Sequence, residues 1–321
     1  MKLVVLDGYT LNPGDLSWDA LKALTTVTIN DRTAINNAAI LEAVGDAEAV
    51  ITNKVPLQKA VLEQLPNLKY IGVSATGFNI IDIEAAKHQD IVVTNVPAYS
   101  TKSVAQFTMA LILELCHHVG AHSTAVHSGQ WENAKDFSFW NSPLIELEGK
   151  TIGIVGFGQI GKATAALAQA FGMQVLVHNR TVYPDYETDT LTFVDLDTLL
   201  SEADFLSLHC PMTEDTAGII NTASLAKMKS GAFLINTSRG GLVVEADLAE
   251  ALNSDNIAGA AVDVVSEEPI ASNNPLLGAK NCIITPHIAW APLEARRRCM
   301  DIVVANVKAF LNDALVNVVS E

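Results

Sequence analysis

The feature that most constrains this chain is a glycine run, Gly156-Phe157-Gly158-Gln159-Ile160-Gly161, set between an apolar stretch, Thr151–Val155, and a helix-like one, Lys162–Phe171. A second apolar stretch, Gln174–His178, follows. Strand, glycine turn, helix and strand make a βαβ unit, which forces a parallel pair. Each glycine then has a physical task. Gly156 permits the tight turn, Gly158 lets backbone approach a pyrophosphate with no Cβ in the way, and Gly161 lets the helix pack closely on the strand. The first N–H groups of the helix, in the Gln159-Ile160 turn, face the phosphates. The expectation is a bound dinucleotide; a glycine turn that holds no nucleotide is the alternative.

The rest of the 321 residues repeats the alternation. Apolar runs at Leu3–Leu6, Ala49–Thr52, Tyr70–Val73 and Ile91–Thr94 are separated by helix-like stretches such as Asp19–Leu24 and Pro56–Gln64. After Thr151–Val155 and Gln174–His178 come Phe205–His209, Ala232–Asn236, Ala258–Val264 and Cys282–Thr285. Runs this continuously apolar suit strands buried on both faces. Two α/β units are expected, each a doubly wound parallel sheet, joined by long helices at Ser100–Val119 and Pro292–Leu311. The preferred arrangement returns the C-terminal helix to the first unit: residues 1–99 and 289–321 form one domain and 100–288 the other.

In open α/β sheets, ligands sit beyond the carboxyl ends of the strands. The polar residues at those ends are His209-Cys210-Pro211, Thr237-Ser238-Arg239, Asp263 with Glu268, and His287. An arginine, a carboxylate and a histidine thus converge on one edge from three strands. Hydride transfer to a 2-keto acid needs those parts: a cation for the carboxylate, a proton donor for the carbonyl oxygen, and an acid to keep that donor protonated. The end of the second strand bears on the coenzyme. NAD sites usually place an acid there for the ribose 2′-OH, whereas this chain has Asn179, eighteen residues after Gly161, then Arg180 and Thr181. Arg180 is suited to pair with a 2′-phosphate and Thr181 to donate to it, so acceptance of NADP(H) is expected. Arg180 as a solvated surface charge, with NAD bound, is the alternative.

These stretches, with Ile235–Gly240, Val262–Pro269 and Thr285–Ala289, resemble the D-isomer-specific 2-hydroxyacid dehydrogenase family over essentially the whole chain. The segments Leu6–Trp18 and Ile288–Trp290 look most like its glycerate dehydrogenase/hydroxypyruvate reductase branch. The resemblance implies two Rossmann-like domains, a flavodoxin-like substrate domain and a dinucleotide-binding domain, closing a cleft on the substrate. It implies NAD(P)H as coenzyme and a small 2-keto acid, hydroxypyruvate or glyoxylate, reduced to D-glycerate or glycolate. Arg239 then clamps the substrate carboxylate. His287 donates the proton, and Glu268 hydrogen-bonds His287 and raises its pKa. Asp263 binds the nicotinamide carboxamide. Backbone amides of Ala75, Thr76 and Gly77 contact the substrate carboxylate from the other domain. His209, Pro211, Thr237, Ser238 and the Gln159-Ile160 turn contact the coenzyme. A homodimer through Ser100–Val119 is implied as well. The chain departs from the family at Gln106, where many relatives have Glu, and at Asn179, where NAD-using relatives have Asp.

Some assignments stay open. Glu267 competes with Glu268, and Trp290 either lines the pocket or packs. His118 and His122 have a helical metal-ligand spacing, but Gly120 lies between them and no carboxylate completes a set, so no metal is expected. Four scattered cysteines, Cys116, Cys210, Cys282 and Cys299, show no zinc or disulfide spacing and suit a reducing compartment. A net charge of −16 argues against nucleic acid or anionic membrane as a partner. No stretch approaches the ~20 apolar residues of a membrane span, and the N-terminal run reads as a strand and not as a leader. A cytoplasmic enzyme is expected. The competing function on the same fold is a dinucleotide-sensing interaction protein.

Overall fold

The computed structural model describes residues 1–320. Its contacts divide them into two units, residues 1–100 with 291–320, and Thr101–Trp290. In the first, β1 (Lys2–Val5), β2 (Thr26–Ile29), β3 (Ala49–Thr52), β4 (Tyr70–Val73) and β5 (Val92–Thr94) form a sheet of order β2-β1-β3-β4-β5. In the second, β6 (Thr151–Val155), β7 (Gln174–His178), β8 (Leu191–Phe193), β9 (Phe205–Leu208), β10 (Phe233–Asn236), β11 (Gly259–Val262) and β12 (Cys282–Ile284) have the order β12-β11-β10-β9-β6-β7-β8. All paired strands within each sheet are parallel. The first order is flavodoxin-like, the second that of a Rossmann domain extended by one strand.

Register positions the site. Val155 pairs with Leu208, Leu208 with Asn236, Asn236 with Val262, and Val262 with Ile284. The next residue of each strand therefore emerges at the same edge: Gly156, His209, Thr237, Asp263 and Thr285. The central strands are apolar on both faces; β6, β9, β10 and β11 bury Ile154, Leu206, Leu234 and Ala260 completely. The expected run Ala258–Val264 shortens to Gly259–Val262, and the Asp263 side chain beyond it serves the edge.

Several expectations are corrected. β2 and β8 lie outside the apolar runs read from the sequence, because both are half-exposed edge strands without continuous hydrophobicity. The helix expected at Ser100–Val119 ends at His117, and a second runs Val119–His127. The break is at His118, whose φ of 46° is left-handed. His118 and His122 therefore do not share a helix face. The His122 Nδ1 lies 2.9 Å from the His118 carbonyl, and its Nε2 accepts from the Asn141 N–H at 3.1 Å. Among the described residues no group of His, Cys, Asp and Glu is arranged to hold a metal. Asp263 accepts from the Ile288 and Ala289 N–H groups and keeps them with β11, next to the division of contacts at 290/291. No single described helix is long and apolar enough to cross a membrane.

The C-terminal helix, Leu293–Leu311, belongs to the first unit and is fastened there by polar bonds at both ends. Arg296, only 9% exposed, donates through Nη1 and Nη2 to the Asp15 carboxylate at 2.7 and 2.6 Å, through Nη1 to the Leu11 carbonyl, and through Nε to the Ala291 carbonyl. The guanidinium holds the Asp15 carboxyl below its usual range. Further along, Asn306 donates to the Asn95 carbonyl at 2.9 Å, and the Phe310 ring lies 4.7 Å from that of Tyr70. Removing a guanidinium with three separate acceptors leaves buried carbonyls unpaired. Arg296→Ala is expected to lower Tm by about 5 °C in a thermal melt, and an unchanged Tm would show the fastening to be idle.

Candidate active site

The glycine turn is held by contacts that no side chain permits. Gly156 has φ +96°, and a Cβ there collides with the backbone of His209 and Cys210; a Cβ at Gly161 collides with the Gly156 carbonyl. The loops after β6 and β9 therefore touch backbone to backbone. A Cβ on Gly158, by contrast, meets only open space, so this glycine leaves room for an incoming group. Gly158 starts the helix Gln159–Ala170, and no side chain caps it. The first helical N–H groups are thus available to an anion.

Asn179 does not wait for a ribose. Its Oδ1 accepts from the Phe157 N–H at 2.9 Å and its Nδ2 donates to the Thr181 carbonyl at 2.7 Å. The amide braces the glycine loop against the chain after β7, and an aspartate lacks the second donor. Arg180 and Thr181 are exposed beside it. Lys162 lies with its Nζ 4.7 Å from the Tyr183 ring centre and 4.2 Å from that of Tyr186, a cation held over two aromatic faces. Phe157 meets Tyr186 edge-on at 5.3 Å. Lys162 and the two tyrosines were not singled out in the sequence.

At the end of β9, His209 pairs its Nε2 with the Ser207 hydroxyl at 2.9 Å. Burial pushes its pKa down to about 4, so the ring is neutral at pH 7. Pro211 follows on the surface. After β10, the Thr237 hydroxyl lies 3.0 Å from that of Thr108, and the Ser238 hydroxyl donates to the Cys210 carbonyl at 2.7 Å. Asn236 brackets the turn that carries Arg239: its Oδ1 accepts from the Ser238 N–H and its Nδ2 donates to the Arg239 carbonyl at 2.8 Å. That role was invisible in a residue read as the end of an apolar strand. Arg239 itself is exposed, with Nη1 donating to the Ser238 carbonyl.

The structure brings His287 and Glu268 together. Nδ1 of the imidazole is 2.7 Å from Oε2 of Glu268, with both side chains about three-tenths exposed. Glu268, not Glu267, is the partner. His287 sits at φ +54°, a left-handed conformation that costs a non-glycine residue about 1–2 kcal/mol. Asp263 offsets it. Its Oδ1 accepts from the Thr285 hydroxyl at 2.7 Å and the Ile288 N–H at 2.9 Å, and its Oδ2 from the Ala289 N–H at 2.8 Å. Charge-assisted bonds contribute roughly 1.5–3 kcal/mol each, so three exceed the strain. They also answer the desolvation of a carboxylate that is 1% exposed. The sequence suggested a coenzyme contact for Asp263; its visible task is to hold the turn that carries His287.

The turn carrying Arg239 abuts the same assembly. A Cβ at Gly240 overlaps the Val265 carbonyl, so Gly240 rests directly on the backbone that leads to Glu268. Trp290 is half-buried at the end of the unit. In the first unit, Ala75, Thr76 and Gly77 follow β4. The Thr76 hydroxyl donates to the Val96 carbonyl at 2.8 Å, and the Ala75 carbonyl accepts from the Val96 N–H.

The pKa of His209 makes stability depend on pH. A histidine titrating near 6.5 when unfolded and about 4 when folded leaves the unfolded chain holding more protons between those values. Stability is then full above about pH 6.5 and falls as pH drops toward 4. His209→Asn is expected to remove about 2–3 kcal/mol of that decline, read by urea unfolding at pH 4.5 and 7. An equal decline in both proteins would mean the ring is not buried neutral.

Comparison with known proteins agrees with this arrangement. The model of the D-isomer specific 2-hydroxyacid dehydrogenase NAD binding domain matches residues 109–289. A hydroxypyruvate reductase of Blautia hydrogenotrophica is 52% identical over 322 residues, covering 100% of both chains. A glycerate dehydrogenase of Methylorubrum extorquens is 42% identical over 282 residues, 87% of this chain and 88% of the relative. The solved structure of an acyclic imino acid reductase in complex with NADPH and D-Arg superposes with a TM-score of 0.86 at 28% identity, covering 99% of this chain and 100% of that one. With the fold, the glycine turn and the overall identity in agreement, this chain belongs to the D-isomer-specific 2-hydroxyacid dehydrogenase family, whose members are NAD(P)-dependent oxidoreductases acting on CH–OH groups.

Proposed function

We propose that this enzyme reduces hydroxypyruvate or glyoxylate to D-glycerate or glycolate with NAD(P)H. The observation that carries the proposal is the 2.7 Å contact between His287 Nδ1 and Glu268 Oε2 at the carboxyl edge of the Rossmann sheet. A dinucleotide-sensing protein has no use for such a pair, and that alternative is not favoured.

The residues present fit the coenzyme. Gly158 leaves space where a Cβ would intrude, and the uncapped helix beyond it offers N–H groups to a pyrophosphate. Gln159 and Ile160 lie in that first turn, and His209, Pro211, Thr237 and Ser238 line the neighbouring strand ends. Asp263 Oδ2 accepts one bond from the protein and keeps a lone pair for the carboxamide. When bound, the reduced nicotinamide supplies the hydride that reaches the keto carbon. Arg239 holds the substrate carboxylate with its forked donors. Glu268, bonded at Nδ1, orients the imidazole and fixes its tautomer. Nε2 of His287 is then the nitrogen that delivers a proton to the carbonyl oxygen, and in oxidation it takes that proton back. Trp290, three residues beyond His287, is read as a substrate contact.

NADP(H) is read as accepted at Arg180 and Thr181, both exposed after β7. A homodimer is supported by apolar side chains left on the surface beyond Val119, with Phe137 90% and Trp140 66% exposed. A cytoplasmic setting is supported by four free thiols, three of them pushed up by burial to about 11 for Cys116 and Cys282 and about 12 for Cys299.

A panel of 2-keto acids against NADH and NADPH tests the reaction. Hydroxypyruvate or glyoxylate is expected to give the highest kcat/KM, and absence of turnover with every acid would end the proposal. His287→Ala is expected to lower kcat by ~10²–10⁴. A hundredfold preference for NADH over NADPH would refute the role of Arg180. Light scattering is expected to give the mass of two chains, reduced to one by Phe137→Ser with Trp140→Ser; a monomeric wild type would refute the dimer.

A further inference from the structure

The loop that delivers Glu268 has no regular structure of its own, yet its position decides whether the carboxylate meets His287. Residues 265–274 run from the end of β11 to the turn at Pro275 without a strand or helix. One side chain outside the loop accepts three bonds from it. Glu245, first residue of the helix Glu245–Asn253, accepts at Oε1 from the Ser266 N–H at 2.6 Å. Its Oε2 accepts from the Ser266 hydroxyl at 2.7 Å and from Asn274 Nδ2 at 2.9 Å. Both ends of the loop are thereby tied to one carboxylate. Asn274 is itself buried and anchored, its Oδ1 accepting from the Leu276 N–H at 3.0 Å.

The Ser266 backbone is held from a second direction as well. Gly240 rests on the Val265–Ser266 peptide, and Gly240 follows Arg239 directly. Glu245 lies only five residues further along the same chain segment. Segment 239–245 therefore carries the arginine at one end and, at the other, the carboxylate that grips the Glu268 loop. Two residues beyond Ser266, Glu268 Oε2 reaches His287. A shift of the Ser266 peptide moves Glu268 with it, and displacements of about 1 Å at such sites lower rates by roughly a hundredfold.

We propose that Glu245 is a positioning residue for the Glu268–His287 pair. It acts through the loop: it fixes the Ser266 and Asn274 anchors between which Glu268 is presented. The proposal rests on the reading of Glu268 and His287 as the proton-transfer pair.

The test is a double-mutant cycle with hydroxypyruvate and NADH as probes. Wild type, Glu245→Ala, Glu268→Gln and the double variant are compared for kcat, KM, NADH dissociation constant by fluorescence, and Tm. Glu245→Ala is expected to lower kcat roughly tenfold to a hundredfold, with hydroxypyruvate KM and NADH affinity within about twofold of wild type. In the Glu268→Gln background the same change is expected to cost less than about threefold, since there is no longer a carboxylate to position. A kcat within twofold of wild type, or losses that multiply in the double variant, would overturn the role of Glu245. If Glu268→Gln alone keeps full activity, the proton-transfer reading fails instead, which is a separate result. Glu245→Gln, which keeps the side-chain volume, enters the same cycle under the same criteria should the alanine variant not fold.

Discussion

Direct contact between bare backbones is the constraint on which this active-site edge depends. Parallel strands in register bring five chain segments to one line, but side chains ordinarily keep neighbouring loops apart. Here Gly156 lies on the His209–Cys210 backbone, Gly161 on the Gly156 carbonyl, and Gly240 on the Val265–Ser266 peptide. The first joins the glycine turn to the segment after β9, and the second packs the helix on the turn itself. The third joins the arginine turn to the loop of the acid. The sheet sets the order of the segments; the absent Cβ atoms let them close.

Closure of that kind leaves loop N–H groups needing acceptors, and carboxylates supply them. Asp263 takes two N–H groups and a hydroxyl from the His287 turn. Glu245 takes the Ser266 and Asn274 donors. The first unit uses the same device: Asp7 accepts from the Asn53, Lys54 and Val55 N–H groups at the carboxyl end of β3. Burial pushes the Asp7 carboxyl up while those three bonds pull it down. A carboxylate that binds several donors of one turn restrains a strained backbone at fewer residues than a packed apolar contact needs. That economy suits an edge where apolar cover would block substrate.

Which of these features can be read from the sequence follows from their range. Central strands announce themselves because burial on both faces demands continuous Val, Ile, Leu and Ala, as in Thr151–Val155 and Phe205–Leu208. Edge strands β2 and β8 do not, since half their surface is solvated. The dinucleotide turn is legible because its glycines, strand and helix are adjacent in the chain. Glu268 was separable from Glu267 only by motif, and the structure decides it by a contact across nineteen residues. Glu245 and Asn236 carry no local signal: one looks like an ordinary acid in the first turn of a helix, the other like a strand end. Their roles exist only through partners brought by the fold. The break at His118 escaped for the opposite reason, because the apolar pattern of Thr101–His117 runs smoothly past a residue whose backbone turns left-handed.

The coenzyme edge shows how one substitution changes several bonds together. An aspartate at position 179 would accept from the Phe157 N–H as Asn179 Oδ1 does, but it would lose the donor that Asn179 presents to the Thr181 carbonyl. The amide therefore ties Thr181 to the glycine loop and removes a negative charge in the same step. With that charge absent, no acid stands at position 179 beside the exposed Arg180. Lys162 is a cation beside the glycine turn in a chain of net charge −16, its Nζ 5.7 Å from the Phe157 ring centre. Lys162 is placed there by the faces of Tyr183 and Tyr186, and these in turn lean on Phe157 of the glycine turn. The glycine turn and the lysine thus form one packed cluster, so a change at Phe157 reaches both.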